Sequence, residues 1–532
     1  MKRLFTVRKG LALLLSLVLV IAAGCQAVGG VDLNSVLKNV LKVSSMEGKQ
    51  TLEVKLQLNK HAADEMEAEE LELLQLFSNF KVQLDEVKVQ DETHASYKGK
   101  IIFGKNATVI GFGLKLSDEA AVIDIDGAKA PIYLDMTQEG LTDIIGIETE
   151  GATEEEQASL TELGHKLIDG AGNYIINNLP NPDKLTVEKV ELPINGQQTA
   201  LFHVATELDG PAIWEWIKSY IDALIADKEG LKQFVATMVT LLAEHEGVWE
   251  SADAIVNPIE ELNLDLQGQS KEDIINETVK DIMETLTLTK HDLEELESEE
   301  WRTLEDLFNE DTTVKAELYV DSKLDIRKQV LEATIEPDQS FFFPIDGITI
   351  RAVAERWNVN GEVVADEPVV SDDMFYADEL SLMPSLEVLR MFDKQSGAYN
   401  LLKNKFHMNR QIVELPTDYV VYPAILTPEY ITLIPLRDVA ELMGAEVTFD
   451  KQTKKVKVMD KVTNTTIYVE EGSDTMSVNG KDTTMPFPAT AINGAMYVPA
   501  RSFAAAINAK IHWESYFDDG DLDTFIIERE VA

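Results

Sequence analysis

Twelve residues beginning at Ile434 recur, with the same spacing, beginning at Val498. The first copy reads Ile434-Pro435-Leu436-Arg437-Asp438-Val439-Ala440-Glu441-Leu442-Met443-Gly444-Ala445 and continues to Val447, Phe449 and Asp450. The second reads Val498-Pro499-Ala500-Arg501-Ser502-Phe503-Ala504-Ala505-Ala506-Ile507-Asn508-Ala509 and continues to Ile511, Trp513 and Glu514. Pro435 and Pro499 stand 64 residues apart, and the other matches keep that offset. Each copy predicts a strand running into proline, whose fixed φ suits the first turn of a helix. A short helix follows, ended by Gly444 or Asn508 in the left-handed conformation. A strand then buries an aromatic, Phe449 or Trp513. Between the copies Val456 and Val458 alternate with polar residues, as do Ile467 and Val469, while Asn479-Gly480 and Asn493-Gly494 signal hairpin turns. The expectation is a compact, β-rich domain over 414–532 with two short helices related by pseudo-symmetry.

These residues resemble the copper amine oxidase N-terminal-like domain, common in secreted and surface proteins of Gram-positive bacteria. The shared motif is Pro-x-Arg, an alanine-rich helix, Gly-Ala, and a strand ending in aromatic-acid; Val478-Asn479-Gly480-Lys481 and Tyr497-Val498-Pro499 also match. The second copy departs at Asn508 and Ala500, and neither change threatens the fold. The resemblance implies an accessory stalk and no oxidase chemistry. The oxidase cofactor forms from tyrosine in Asn-Tyr-Asp/Glu beside a copper on three histidines. Here Asn173-Tyr174 is followed by Ile175, and the eight histidines make no local ligand pair. No cofactor is expected.

Period-two alternation governs much of the remaining chain. Leu52, Val54, Leu56 and Leu58 alternate with polar neighbours, as do Phe80, Val82 and Leu84, then Ile110, Phe112, Leu114 and Leu116. Such a pattern gives a sheet one buried and one wet face. Asp124-Ile125-Asp126-Gly127 reads as a strand end and turn. From 136 to 310 the period becomes helical: Asp209-Gly210-Pro211 starts a helix with Ile213, Ile217, Tyr220 and Leu224 on one face. Leu231–Leu242 and Leu293–Phe308 look similar, with short strand candidates around 185–192 and 200–205. Alternation returns at Val314, Ala316, Leu318 and Val320 and continues through Leu324 and Ile326. The predicted class is α+β: an antiparallel-sheet domain over 46–370, its strands at 46–135 and 311–370 flanking a helical part at 136–310. Two separate domains also fit. Residues 371–413 read as a connector.

The single cysteine bears on location. Lys2, Arg3, Arg8 and Lys9 precede an apolar run, Leu11–Ala23, too short for a comfortable membrane span. Small residues and Cys25 follow. This resembles a bacterial lipoprotein signal, with Ala22 where that family usually has a larger aliphatic residue. The resemblance implies that residues 1–24 are removed and Cys25 becomes a lipidated N-terminus. Residues 25–45 then form a tether and first helix, with Val36, Leu37, Val40 and Leu41 at helical spacing. The first 24 residues hold four of the 47 bases and none of the 94 acids, so the rest carries a formal charge of −51. That charge is repelled by nucleic acid and by anionic headgroups alike. With one cysteine, no disulfide forms within the chain, and packing must stabilise it.

Catalytic patterns are sparse. Ser35-Val36-Leu37-Lys38 matches Ser-x-x-Lys by chance, without companion motifs. Asp519, Asp521, Asp523 and Glu530 fall at positions 1, 3, 5 and 12 of a calcium-loop template. Thr524 stands where that loop needs glycine, and Ile527 offers no side-chain ligand, so an acidic turn leading into a last strand, Thr524–Glu528, is the favoured reading. His203 reads as a packed or edge histidine. Trp214, Trp216 and Phe341-Phe342-Phe343 read as core, with a ligand groove as the alternative. The functional expectation is a non-enzymatic, membrane-anchored envelope lipoprotein acting in interaction or scaffolding. The alternative is a carrier or sensor of a hydrophobic, lipid-like ligand in the α+β domain. An envelope protein, the cell wall or a lipid are the partner classes in view; a hydrolase using paired carboxylates ranks below both readings.

Overall fold

In the computed structural model, residues 29–105, 108–137, 166, 170, 172–244, 270–299, 301–337, 344–417, 420–515 and 524–531 are described. Residues 1–24, read above as a signal segment, and Cys25 and Phe341–Phe343 lie outside them. The chain divides into one unit of residues 1–382 with 395–398 and another of 383–394 with 399–532.

The alternating runs of the first unit form strands β1 (Met46–Leu58), β2 (Asn79–Val89), β3 (Ala95–Phe103), β4 (Thr108–Leu116), β5 (Ala120–Ile125) and β6 (Ile132–Asp135). They continue as β7 (Thr186–Ile194), β8 (Gln197–Asp209), β9 (Thr313–Val320), β10 (Ile326–Ile335), β11 (Ile345–Trp357) and β12 (Phe375–Tyr376). All twelve join one sheet in the order β12-β6-β5-β4-β3-β2-β1-β11-β10-β9-β8-β7. Pairing is antiparallel except between β6 and β12. The seam between β1 and β11 joins residues some 300 positions apart, from Glu47 opposite Trp357 to Leu56 opposite Ile348.

The sequence reading differs from this sheet in three places. Within the part read as helical, 136–310, the strand candidates around 185–192 and 200–205 are β7 and β8, and they belong to this same sheet, pairing with each other and attaching to β9. Their hairpin turns at Asn195-Gly196, with φ of 46° and 76°, the same dipeptide signal as at 479 and 493. Alternation does not run through Leu324: a tight turn lies there, with Leu324 at φ 67° and its N–H donating to the Asp321 carbonyl. Leu324 still packs at the margin of the core, so its hydrophobicity mimicked a strand position. The third helical run begins earlier than Leu293, as part of the helix Lys271–Glu299.

Helices cover the β8-β9-β10 end. Helix α1 (Leu33–Val40) is capped by Asp32, whose carboxylate accepts the Ser35 N–H. With Val31 it packs Leu33 and Val36 onto Val204, Leu318, Val320 and Leu331. Val31, just before the helix, is fully buried. Helix α2 (Ala68–Phe77) precedes β2. Helix α3 (Gly210–Ala226) starts at Asp209, which accepts the Ala212 N–H at 3.0 Å. Gly210 is required there: a Cβ would fall 2.3 Å from the Asn309 carbonyl oxygen. Its Ile213, Trp214 and Ile217 pack on Leu208, Val314, Ala333 and Ile335. Helices α4 (Lys228–Glu244) and α5 (Lys271–Glu299) add a second cluster around Leu231, Val235 and Val279.

The second unit holds the repeat. A strand, β13 (Arg410–Pro416), falls within the stretch read as connector and C-terminal domain. It pairs with β24 (Thr524–Glu530), which pairs with β23 (Lys510–Glu514). Strands β14 (Ile425–Leu426), β15 (Thr432–Pro435), β22 (Ala495–Pro499) and β21 (Thr490–Ile492) form a second sheet. The third contains β16 (Glu446–Asp450), β17 (Lys455–Asp460), β18 (Thr465–Glu470), β19 (Thr475–Val478) and β20 (Lys481–Thr484). Helix α6 (Leu436–Leu442) links β15 to β16, and α7 (Ala500–Ala506) links β22 to β23.

In the second sheet Ile434 faces Val498, Leu433 faces Pro499, and Pro435 faces Tyr497. The equivalent residues Ile434 and Val498 thus pair at the centre of a local two-fold, which exchanges the Leu433–Pro499 pair with Tyr497–Pro435. Both helices end alike. Gly444 (φ 78°) and Asn508 (φ 58°) are left-handed, and the next N–H closes a long capping bond, Ala445 to the Ala440 carbonyl and Ala509 to the Ala504 carbonyl, each 2.8 Å. Phe449 corrects one expectation: it is 51% exposed, whereas Trp513 packs edge-on against Phe525 at 5.0 Å.

Candidate functional site

Register fixes which side chains share a face of the large sheet. Leu52 pairs with Val82 on β2 and Ala352 on β11, Val82 with Ile101, and Ile101 with Ile110. One row further, Val54 pairs with Phe80 and Ile350, and Phe80 with Phe103. Leu84 pairs with Gly99, Gly99 with Phe112, and Phe112 with Ile125. The opposite face carries Glu53, Lys55, Lys81, Gln83, Lys100 and Arg351, with ion pairs such as Lys100–Asp85 at 3.5 Å and Arg351–Glu332 at 3.6 Å.

The apolar face is continuous from β10 to β5, but its burial is not. At the β8-β9-β10 end Leu208, Val314, Ala316, Leu318 and Val320 are buried beneath α1 and α3. Across β11, β1, β2, β3 and β4 the corresponding residues Ile350, Val54, Val82, Ile101 and Phe112 are only half-buried, and Leu52 is 41% exposed. None of the hydrophobic clusters among the described residues contains a residue of β1–β5. Phe77 of α2, Phe80 and Phe103 close one end with ring centroids 5.5–6.3 Å apart. In the middle of this surface lies a recess of about 300 Å3, lined by Gln50, Leu52, Val82, Leu84, Ala352 and Ala354 among others. Its size is at the lower end of small-molecule sites.

The C-terminal unit has a second recess, of about 560 Å3, between the β14–β15 hairpin and β23. Leu426, Tyr430, Pro486, Pro499, Arg501 and Trp513 line it. Tyr430 is 87% exposed and held at φ 61°, its N–H donating to the Thr427 carbonyl. Elsewhere in this unit, one arginine ties both repeats together. Arg529 donates to the Met443 carbonyl (2.9 Å) and the Ile507 carbonyl (3.4 Å), the end residues of α6 and α7. It also pairs with buried Asp460 and donates to Gln411 at 2.8 Å. Burial pushes the Asp460 carboxyl up, but hydrogen bonds from Arg529, Thr463 and the Val462 N–H outweigh it and hold the group below its ordinary range.

The residues singled out by sequence distribute as follows. Pro435 pairs with Tyr497 and Pro499 with Leu433 on either side of the local two-fold, and Gly444 and Asn508 end the helices. Arg437 donates to Glu441 (2.8 Å) and the Val447 carbonyl (3.2 Å), while Arg501 and Trp513 line the second recess. Glu530 is exposed at the end of β24; Asp519, Asp521 and Asp523 lie outside the described residues. Among the described residues no group of three or more His, Cys, Asp and Glu is arranged to hold a metal ion. His203 meets Glu317 at 3.2 Å and stacks on Tyr319, whose hydroxyl is pushed up to about 12 by burial and the same carboxylate. Trp214 and Trp216 are buried in the α3 core, and Trp216 donates to the Pro180 carbonyl at 2.9 Å. Arg529 and Asp460 had no signal in the sequence; the uncovered sheet face had one, its alternation, which does not reveal what covers it.

No described helix is long and apolar enough to cross a membrane. No curated protein matches the chain. Residues 417–516 match the family model of the copper amine oxidase N-terminal domain, which places that domain, and not the oxidases' catalytic one, in the C-terminal unit.

Proposed function

We propose that this protein is a non-enzymatic, lipid-anchored carrier of a hydrophobic ligand at the cell envelope. One observation carries the reading: the half-exposed apolar face over β11, β1, β2, β3 and β4, continuous with a packed core at one end and open at the other. An apolar surface of this extent left in water is costly at roughly 25 cal/mol per Å2, and large exposed patches mark interaction sites. An acyl chain laid across the strands would shield it. Between the two expectations the geometry thus favours the carrier over the scaffold.

Location supports the same reading. In it, Cys25 carries a diacylglycerol, and two acyl chains anchor durably where one does not. Val31, fully buried, is six residues from Cys25, a span of about 20 Å when extended. The sheet would then stand close to the bilayer from which a lipid is drawn. Native mass spectrometry of protein gently extracted from membranes tests it. A bound lipid mass beyond the N-terminal acyl groups is expected; a mass accounted for by chain and anchor alone contradicts it.

A second reading concerns the C-terminal unit alone. Exposed Tyr430 beside Leu426, Pro499 and Trp513 favours an interaction module there, consistent with a scaffolding role. Loss of crosslinking to envelope partners in Tyr430→Ser supports it; unchanged crosslinks contradict it.

A further inference from the structure

Arg356 ends the row Ala352, Ala354, Arg356 on the apolar face of β11 and lines the central recess. Its cross-strand neighbour is Gly48, which has no side chain to cover it. Arg327, Arg351, Arg410 and Arg529 each lie against a carboxylate. The Arg356 side chain makes no hydrogen bond or ion pair with the described residues, and its Nε is buried without a partner. Burial lowers its pKa, yet a guanidinium stays charged at neutral pH. A desolvated cation without a counter-charge is unfavourable, the more unexpected in a chain with 94 acids. The uncharged amides of Gln50 and Gln329 line the same recess, whose remaining lining includes Leu52, Val82 and Leu84.

We propose that this recess takes the anionic head of a single-chain amphiphile, carboxylate or phosphate, on Arg356, with the Gln50 and Gln329 amides as hydrogen-bond donors and the acyl chain over Leu52 and Val82. The inference rests on the carrier reading and adds the ligand class to it. Guanidinium matches either head through paired N–H···O bonds.

The test is displacement of a fluorescent acyl probe from the delipidated full chain by oleate, by lysophosphatidate and by oleyl alcohol. At least one anionic ligand should bind about tenfold or more tighter than the alcohol, and the tighter of the two identifies the head. Arg356→Gln should bring anionic affinity down to that of the alcohol and leave the alcohol unchanged. Should that variant fail to fold, Gln50→Glu sets an internal carboxylate beside Arg356 and should weaken the anions alone. Equal binding of oleate, lysophosphatidate and oleyl alcohol, or anionic binding indifferent to both variants, overturns the anion subsite while the carrier reading stands. If no amphiphile of any class binds, both fall.

Discussion

Arg529 is the residue on which the C-terminal unit converges. It reaches the end residues of α6 and α7 and the buried carboxylate of Asp460, so one side chain serves both copies of the repeat. Removing one member of a buried pair leaves the other uncompensated, a loss of about 3–5 kcal/mol. Arg529→Met is expected to cost that much in urea unfolding of the full chain, read on the transition of this unit. Because Asp460 titrates below its ordinary value of 3.8 in the folded state, its contribution is complete above that value and disappears as pH falls through the lower, folded one. The stability gap between the native chain and Asp460→Asn should therefore be constant near neutrality and shrink below about pH 4. A gap that widens on acidification would contradict the assignment. None of this was legible in the sequence: Arg529 stands between Glu528 and Glu530 like any edge charge, and its partners come from four separate stretches of chain.

At the level of elements, much was legible wherever a local rule suffices. Asn-Gly turns, proline at the strand-to-helix junction and a left-handed residue after each helix are short-range choices, and the repeat states them twice. Alternation likewise marked β1, β2, β4 and β9. Pairing partners were not legible, since β1 meets β11 across the whole helical stretch, and β7 and β8 were short runs whose Asn195-Gly196 turn went unused. Nor does alternation distinguish a face under helices from one open to a ligand. The structure separates them, and the separation has an energetic counterpart. Ile213→Ala, in the covered half, should cost about 2–5 kcal/mol. Leu52→Gln, in the open half, should cost within about 1 kcal/mol. Comparable losses at both sites in thermal or urea unfolding would mean that the open half is packed after all.

For the whole molecule, the acidic body and the proposed anchor act in opposition. Residues 25–532 carry a formal charge of −51, which at the proposed location would be repelled by anionic headgroups within a Debye length of about 8 Å. Lipid on Cys25 would overcome that repulsion, so Cys25→Ser should shift the protein from the membrane fraction to the soluble one; persistence in the membrane fraction would contradict the anchor. Held there, the open sheet face would lie within reach of the bilayer, and binding on that face is the claim on which the account turns. The most direct measurement is equilibrium titration of a fluorescent acyl-chain probe into the delipidated full chain and into a Leu52→Asp, Val82→Asp double variant. The account predicts saturable binding by the native chain and its loss in the double variant, with the melting midpoint unchanged to within about 4 °C. Absence of saturable binding, or equal binding by the double variant, would contradict it.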